Sequence, residues 1–307
     1  MKYLLFILVF CCSSCAKQVY LFTSFHEPAN EGLRFLYSTD GYKWKDLGHT
    51  YLKPEAGAQK VMRDPSIAQG PDGVYHLVWT SSWKGDKGFA YASSKDLLHW
   101  SPQKMINVME HEPETVNVWA PEIFYDDSEK QFIIIWASTI PNRFPRGTEE
   151  EKNNHRMYYT LTKDFEHFSK AKLFLDPGFS VIDAVIVKDE ADYVLVLKDN
   201  TRANRNLKVG FSTDLTGPYT NISAPFSGKL TEGPSVVKVG KNWLIYYDAY
   251  GEKRYAAYRT ADFKSFSDIS SEIDVPAGHK HGTIFKSSKS ILKGLQQEAL
   301  SIKNVRQ

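Results

Sequence analysis

Five short segments of the chain share one opening, with a carboxylate, proline or histidine at or beside the first residue of an apolar run. They are Arg63-Asp64-Pro65-Ser66-Ile67, Trp119-Ala120-Pro121-Glu122-Ile123, Val181-Ile182-Asp183-Ala184-Val185, Glu232-Gly233-Pro234-Ser235-Val236 and His281-Gly282-Thr283-Ile284. A recurrence of this kind constrains the fold more than any single motif, because each unit must bury its apolar faces against its neighbours. If each segment is the innermost strand of a propeller blade, the five leading side chains meet at one mouth of the axial channel. Asp64, Asp183 and Glu232 then converge from positions far apart in sequence.

The repeat continues beyond these openings. Each is followed by an apolar strand such as Val74-Tyr75-His76-Leu77-Val78-Trp79-Thr80 or Asn242-Trp243-Leu244-Ile245-Tyr246-Tyr247, then by a further strand and a polar turn. The turns carry Asp40, Asp96, Asp164, Asp214 and Asp262, with Trp44, Trp100, Phe168, Tyr219 and Phe266 just after them. Asp in such a turn hydrogen-bonds local backbone and the aromatic packs between sheets, so these residues are scaffold. Successive turn aspartates lie 48 to 68 residues apart, the spacing of four-stranded propeller units. The expected class is all-β, a five-bladed β-propeller. The first unit starts directly at Val19-Tyr20-Leu21-Phe22 with what should be a second strand, and His281-Gly282-Thr283-Ile284-Phe285 supplies the missing one. One blade is thus expected to close with strands from both termini, which removes exposed edges and makes the C-terminal segment essential for folding.

Residues 1–15 read as an export signal. One lysine precedes the apolar run Tyr3-Leu4-Leu5-Phe6-Ile7-Leu8-Val9-Phe10, which is too short to span a bilayer. Cys15, preceded by Ser13-Ser14 and followed by Ala16-Lys17, looks like the lipid-acceptor cysteine of a bacterial lipoprotein. Cys12, three residues earlier, departs from the leucine usual there and leaves plain cleavage as the alternative. All 3 cysteines lie in this leader, so residues 16–307, expected as one domain, hold no disulfide, thiol nucleophile or cysteine metal site. The net charge of +2 points to no nucleic-acid partner and no acidic membrane beyond the anchor. Helical periodicity is confined to a tail around Ser290–Gln296, expected on the outside, and the long charged stretch from Pro141 to Asn154 is expected to shape a pocket.

Hydrolysis of a glycosidic bond needs an acid to protonate the leaving oxygen and a carboxylate acting on the opposite face of the sugar. Asp64, fixed before Pro65, suits the carboxylate, and Glu232, with its longer reach before Gly233-Pro234, suits the proton donor. Asp183 stands near both, and one negative charge raises the pKa of a neighbouring acid. Each motif alone is also an ordinary turn sequence. The recurrence at equivalent places facing one channel is what favours an active site.

Taken in order, Arg63-Asp64-Pro65-Ser66-Ile67 with Asp72-Gly73, Trp119-Ala120-Pro121-Glu122, Ile182-Asp183-Ala184 and Glu232-Gly233-Pro234-Ser235 resemble glycoside hydrolase family 43 from about Val19 to Phe285. The resemblance implies a five-bladed propeller that inverts the anomeric centre. It implies Asp64 as general base, Asp183 as the residue that tunes pKa and orients the acid, and Glu232 as general acid. It also places His281 facing the axial channel, where a family histidine helps hold calcium or a water cluster. The bland alternative is a hydrogen-bonded core histidine, and calcium prefers oxygen ligands, so waters or carboxylates would have to supply the rest. No cofactor is required for the chemistry. His279, two residues earlier, makes no convincing zinc pair.

Trp119 and Trp79 are candidate sugar platforms, as is Trp83; each is also a candidate core residue. Glu122 is expected either to bind a substrate hydroxyl or to pair with Arg63, a substrate-site candidate itself. Arg156 and Arg259 are expected mainly at the surface. The retaining invertase group needs an N-terminal Asn-Asp-Pro-Asn-Gly segment, which is absent. Sialidases repeat a Ser-x-Asp-x-Gly-x-x-Trp turn that only Ser38–Trp44 approaches. Inverting phosphorolysis would need a phosphate-binding basic cluster, not evident here.

The expected function is an exported, monomeric, exo-acting inverting glycosidase on plant polysaccharide or oligosaccharide, at the periplasm or outer membrane. The resemblance ranks α-L-arabinofuranosides first and β-D-xylosides second. β-Galactofuranosidase, exo-β-1,3-galactanase and a non-catalytic glycan-binding propeller are the alternatives.

Overall fold

A computed structural model describes residues 18–305; the leader and Cys15 lie outside the described residues. The strands form five antiparallel sheets arranged as blades. Blade 1 joins β1 (Val19–Ser24), β2 (Leu33–Ser38) and β3 (Lys45–Leu52) to the C-terminal β19 (Ile284–Ser287), in the order β19-β1-β2-β3. Blade 2 is β4 (Arg63–Gln69), β5 (Tyr75–Thr80), β6 (Phe89–Ser94) and β7 (Lys104–Ile106). Blade 3 is β8 (Trp119–Asp126), β9 (Gln131–Ser138), β10 (Arg156–Thr162) and β11 (Lys172–Leu175). Blade 4 is β12 (Val181–Asp189), β13 (Asp192–Asp199) and β14 (Asn206–Ser212). Blade 5 is β15 (Glu232–Val239), β16 (Asn242–Ala249), β17 (Arg254–Thr260) and β18 (Ser267–Asp268).

The expected five blades and the two-terminus closure are therefore present, with one departure. Blade 4 has three regular strands where four were expected. An irregular segment takes the fourth place: Ser223 N–H donates to Val209 O (2.8 Å) and Phe226 N–H to Leu207 O (3.0 Å). Pro225 lies within it and Pro218 just before it, and neither has the donor a regular ladder needs.

Each blade is apolar on both faces, because side chains alternate along a strand and both faces meet a neighbouring blade. In β5, Leu77 and Trp79 pack with Leu21 and Phe35 of blade 1, while Val78 packs with Ile134 and Trp136 of blade 3. In β16, Leu244 and Tyr246 join Phe22 and Leu36 of blade 1, while Ile245 joins Val194 and Val196 of blade 4. This parity fixes which large side chains are core. The turn aspartates behave as expected: the Asp40 carboxylate accepts from Tyr42 and Lys43 N–H, and Asp96, Asp164 and Asp262 repeat the pattern.

The tail helix is longer than expected. α1 (Lys289–Val305) starts behind Ser288, whose Oγ accepts from Ile291 N–H (3.2 Å) as an N-cap. It lies on the outside of blades 1 and 2, burying Leu292 and Leu295 and accepting a hydrogen bond from Tyr51 Oη at Leu295 O (2.9 Å). Among the described residues no helix is long and apolar enough to cross a membrane.

Closure at the inner rim is tight. β19 pairs with β1 from Val19↔Ser287 to Phe22↔Ile284, Ile284 N–H donates to Ser235 Oγ (2.8 Å) of blade 5, and Thr283 N–H donates to Thr23 Oγ1 (2.8 Å). A Cβ on Gly282 would lie 1.8 Å from Thr23 O, a backbone atom that cannot rotate away. Gly282→Ala is expected to cost at least about 1–3 kcal/mol and lower the thermal midpoint. An unchanged midpoint in calorimetry would show that the closure is looser than this packing implies.

Candidate active site

Four strand openings carry the same irregularity. The pairing register slips between Arg63 and Ser66, Trp119 and Glu122, Ile182 and Val185, and Glu232 and Ser235. At each slip one residue has left-handed backbone: Asp64 (φ 51°), Ala120 (φ 45°), Asp183 (φ 48°) and Gly233 (φ 58°). Such a bulge bends the strand and re-aims the side chains around it toward the channel mouth. The equivalence expected among the three carboxylates is corrected here. Asp64 and Asp183 share the bulge position, whereas Glu232 stands one residue earlier, where the other blades have Arg63, Trp119 and Ile182. Gly233 holds the bulge position in blade 5, and a Cβ there would meet the His281 ring at 2.6 Å.

The three carboxylates still line one cavity of about 380 Å³, together with Arg63, Thr80, Trp83, Trp119, Lys198 and His281. Asp64 Oδ2 accepts from Thr80 Oγ1 (2.9 Å), and its Oδ1 lies 3.2 Å from His281 Nδ1. Burial alone would raise the Asp64 pKa. The His281 hydrogen bond and charge, the Arg63 charge and the Thr80 hydrogen bond more than offset it, so Asp64 is held below its ordinary value. Burial opposes the charge on His281, but its bond to Asp64 and the nearby Asp183 charge prevail, and its pKa rises to about 9. The imidazolium therefore donates from Nδ1.

Asp183 is shifted the other way. Burial pushes it up, aided by the charges of Glu232 and Asp64 and opposed by Lys198 and His281. Its Oδ2 accepts from Gly233 N–H (3.1 Å), tying blade 4 to the turn beside Glu232. Lys198 Nζ lies 2.9 Å from Glu232 Oε2 and 4.0 Å from Asp183 Oδ2. Burial would lower the Lys198 pKa, but the Glu232 and Asp183 charges raise it, so the ammonium is kept. Sequence reasoning missed Lys198. The signal was there: a lysine and an aspartate directly follow the apolar run Tyr193–Leu197 within one strand.

Other expected site residues divide. Trp119 lines the cavity, its ring stacked on His155 (4.9 Å) and its Nε1 donating to Trp83 O (3.0 Å). Trp79 does not; it is fully buried between blades 1 and 2 because its strand parity points there. Trp83, beyond the strand end and 49% exposed, lines the cavity instead. Arg63 lines the cavity under Trp83 (4.1 Å to the ring) and pairs with Glu27, not Glu122. Glu122 lies deeper in the channel, accepting from Thr283 Oγ1 (3.5 Å), and burial raises its pKa to about 7. It does not line the mouth, so contact with a substrate hydroxyl is withdrawn.

Arg156 is buried, bonded to Asp176 and Asn154, and so pins the stretch between Pro141 and Asn154 rather than lying at the surface. Asn153 of that stretch reaches the cavity and bonds Asn200 (2.8 Å). Arg259 pairs with Glu272 away from the cavity. His279 is a core histidine between Ser24 and Asp46.

Direct ligation of calcium by His281 does not fit these residues. The imidazole is bonded to Asp64 in its charged form, which repels a cation, and the described residues contain no group of three or more His, Cys, Asp and Glu placed to hold a metal.

Comparison with known proteins meets this geometry. The family model for relatives of glycoside hydrolase family 43, described as "Probable glycosyl hydrolase domain", matches residues 16–290. The chain belongs to this family. Its five blades are those of the family 43 propeller. It is 22% identical over 241 residues to an α-L-arabinofuranosidase of Bifidobacterium longum subsp. longum, covering 66% of this chain and 22% of that protein. The chain thus spans about a fifth of the curated relative it matches. Among solved structures, an α-L-arabinofuranosidase from Clostridium thermocellum superposes with TM-score 0.58 at 14% identity, covering 86% of this chain and 92% of that one. An α-L-arabinanase from Cellvibrio cellulosa, complexed with arabinohexaose, gives 0.57 at 14% identity, covering 87% and 95%. At these identities the structures support the shared fold.

The His281–Asp64 pair sets a pH dependence for the family 43 scaffold. A histidine whose folded pKa is raised contributes stability that is complete below its unfolded value of about 6.5 and is lost as pH rises through about 9. The midpoint difference between wild type and His281→Gln is therefore expected to be largest below pH 6.5 and to shrink toward pH 9. A difference that grows with pH in thermal melts would contradict the charged pair.

Proposed function

We propose that the protein is an exo-acting, inverting glycosidase that releases a terminal pentose from plant polysaccharide or oligosaccharide, α-L-arabinofuranose first and β-D-xylose second. The observation that carries this reading is the electrostatic separation of the carboxylates at one mouth. Asp64 is held ionised by His281, and Asp183 is pushed toward its neutral form. Asp64 acts as general base, taking a proton from water as its oxygen bonds to the anomeric carbon. Glu232 acts as general acid: ion-paired with Lys198 in the resting site (2.9 Å), it takes up a proton from solvent and then gives it to the departing glycosidic oxygen. Asp183 holds the turn beside Glu232 through Gly233 N–H and shares Lys198 with it.

Inversion needs base and acid on opposite faces of the sugar, and the two candidates come from different blades, 2 and 5, that line one cavity. The resemblance to family 43 supports that assignment of roles. The name of the Bifidobacterium relative supports arabinofuranose. Exo action is supported by the pinned stretch around Asn153, which walls one side of the cavity. The leader supports export of one monomeric domain, with a lipid on Cys15 and the periplasmic side favoured because acidic residues do not follow that cysteine.

The test is a panel of nitrophenyl α-L-arabinofuranoside, β-D-xyloside, β-D-galactofuranoside and β-D-galactoside, with natural oligosaccharides beside it. Asp64→Asn is expected to lose about 10²–10⁴-fold in kcat. Glu232→Gln should lose as much on oligosaccharides and less on nitrophenyl substrates, whose leaving groups need little acid. Silence on every substrate, with glycan binding retained, would make the propeller a binding module.

The pH–rate profile is a separate check. Asp64 must be ionised, so activity is lost as pH falls through its depressed pKa. His281→Gln removes the donor and the charge, raises that pKa, and moves the acid limb of kcat/KM to higher pH. An unmoved limb would remove Asp64 from the base role.

A further inference from the structure

Four of the five cations lining the mouth cavity already face an acid. Arg63 pairs with Glu27, Lys198 with Glu232 (2.9 Å), Lys280 with Asp248 (2.7 Å) and His281 with Asp64 (3.2 Å). Arg205 has no acidic partner among the described residues, and its Nε is buried without a hydrogen-bond partner. Its backbone is left-handed (φ 44°), a conformation costly for any residue with a Cβ. Bonds on both sides hold it there: Arg205 N–H donates to Thr201 O, and Arg205 O accepts from Thr231 N–H, both at 3.1 Å. A strained residue held this firmly at a cavity wall is where a binding group is to be sought.

We propose that Arg205 binds an anionic substituent on the leaving-group sugar, either the carboxylate of a uronic acid or a sulfate ester. A guanidinium with a free fork matches such oxygens with two parallel hydrogen bonds, and no internal acid competes for it. The side of the bond follows from Thr231, which Arg205 holds and which precedes Glu232 in the chain. This placement rests on Glu232 being the acid, since the leaving sugar lies on the acid's side and water enters from the side of Asp64. The substrate is then a neutral terminal sugar attached to a charged one.

The test measures binding to the full chain by calorimetry and ligand-observed NMR. The probes are glucuronate and galacturonate di- and trisaccharides, galactose 6-sulfate, and the neutral glucose and galactose counterparts of each. One anionic class is expected to bind at least about tenfold tighter than its neutral counterpart, with a preference that narrows as salt rises. Carboxylate and sulfate arms tell the two sources apart. Arg205→Gln should abolish the preference and leave neutral sugars within about twofold, and Arg205→Lys should keep part of it, with thermal melts showing both variants folded. Equal binding of anionic and neutral sugars, or a preference that survives Arg205→Gln, overturns the proposal. Because binding is read without turnover, a chain silent on glycosides yet selective for anions loses the proposed reaction and keeps the Arg205 site. An active chain without the preference does the reverse.

Discussion

The contact between His281 and Asp64 spans 217 residues of sequence and closes two things at once. It completes the ring, because His281 leads into β19, the inner strand that β1 would otherwise lack. It also places an imidazolium against Asp64, the carboxylate that the proposed mechanism needs ionised. A buried acid left alone would take up a proton. The closure of the fold and the charge state of the site are therefore one structural event, and Gly282, pressed against Thr23 O, is the hinge of both.

The other blades supply the rest by the same local device. A bulge at each strand opening turns side chains toward the axis, and hydrogen bonds across blade boundaries hold the bulges in register. Thr80 Oγ1 accepts from Ala120 N–H (2.8 Å) and Ser66 Oγ from Ile123 N–H (3.1 Å), as Asp183 does from Gly233. The carboxylate oxygens of Asp64 and Asp183 that line the cavity are thus also held by hydrogen bonds of the rim. That sharing fixes their positions to a rigid rim, which a reaction needing fixed donors on two faces of a sugar requires.

Much of this was legible in the sequence, for physical reasons. Blade number and closure could be read because a strand buried on both faces leaves a long apolar run, and each turn repeats an aspartate that satisfies its own backbone. The carboxylates could be read because charge at the head of an apolar strand is costly unless it is used. What escaped follows from the same physics. Strands apolar on both faces do not reveal which face a residue occupies, so Trp79 was indistinguishable from Trp83. The one-residue offset of Glu232 could have been read by aligning Pro65-Ser66 with Pro234-Ser235, which sets Gly233, not Glu232, opposite Asp64. Arg205 depends on a backbone angle, and Glu122 on depth in a channel, neither of which a motif records. Pro218 and Pro225 carried a signal for the irregular edge of blade 4 that the reading of five four-stranded units did not use.

The central claim is that Asp64 directs water to the face opposite the bond that Glu232 protonates. The most direct measurement is the anomeric configuration of the sugar at the moment of release, followed by proton NMR from the first seconds of hydrolysis before mutarotation. An α-L-arabinofuranoside should give the β-anomer first, and a β-D-xyloside the α-anomer. First appearance of the substrate's own anomer would mean a covalent intermediate on a carboxylate, and would contradict the assignment of base and acid to the rim of this propeller.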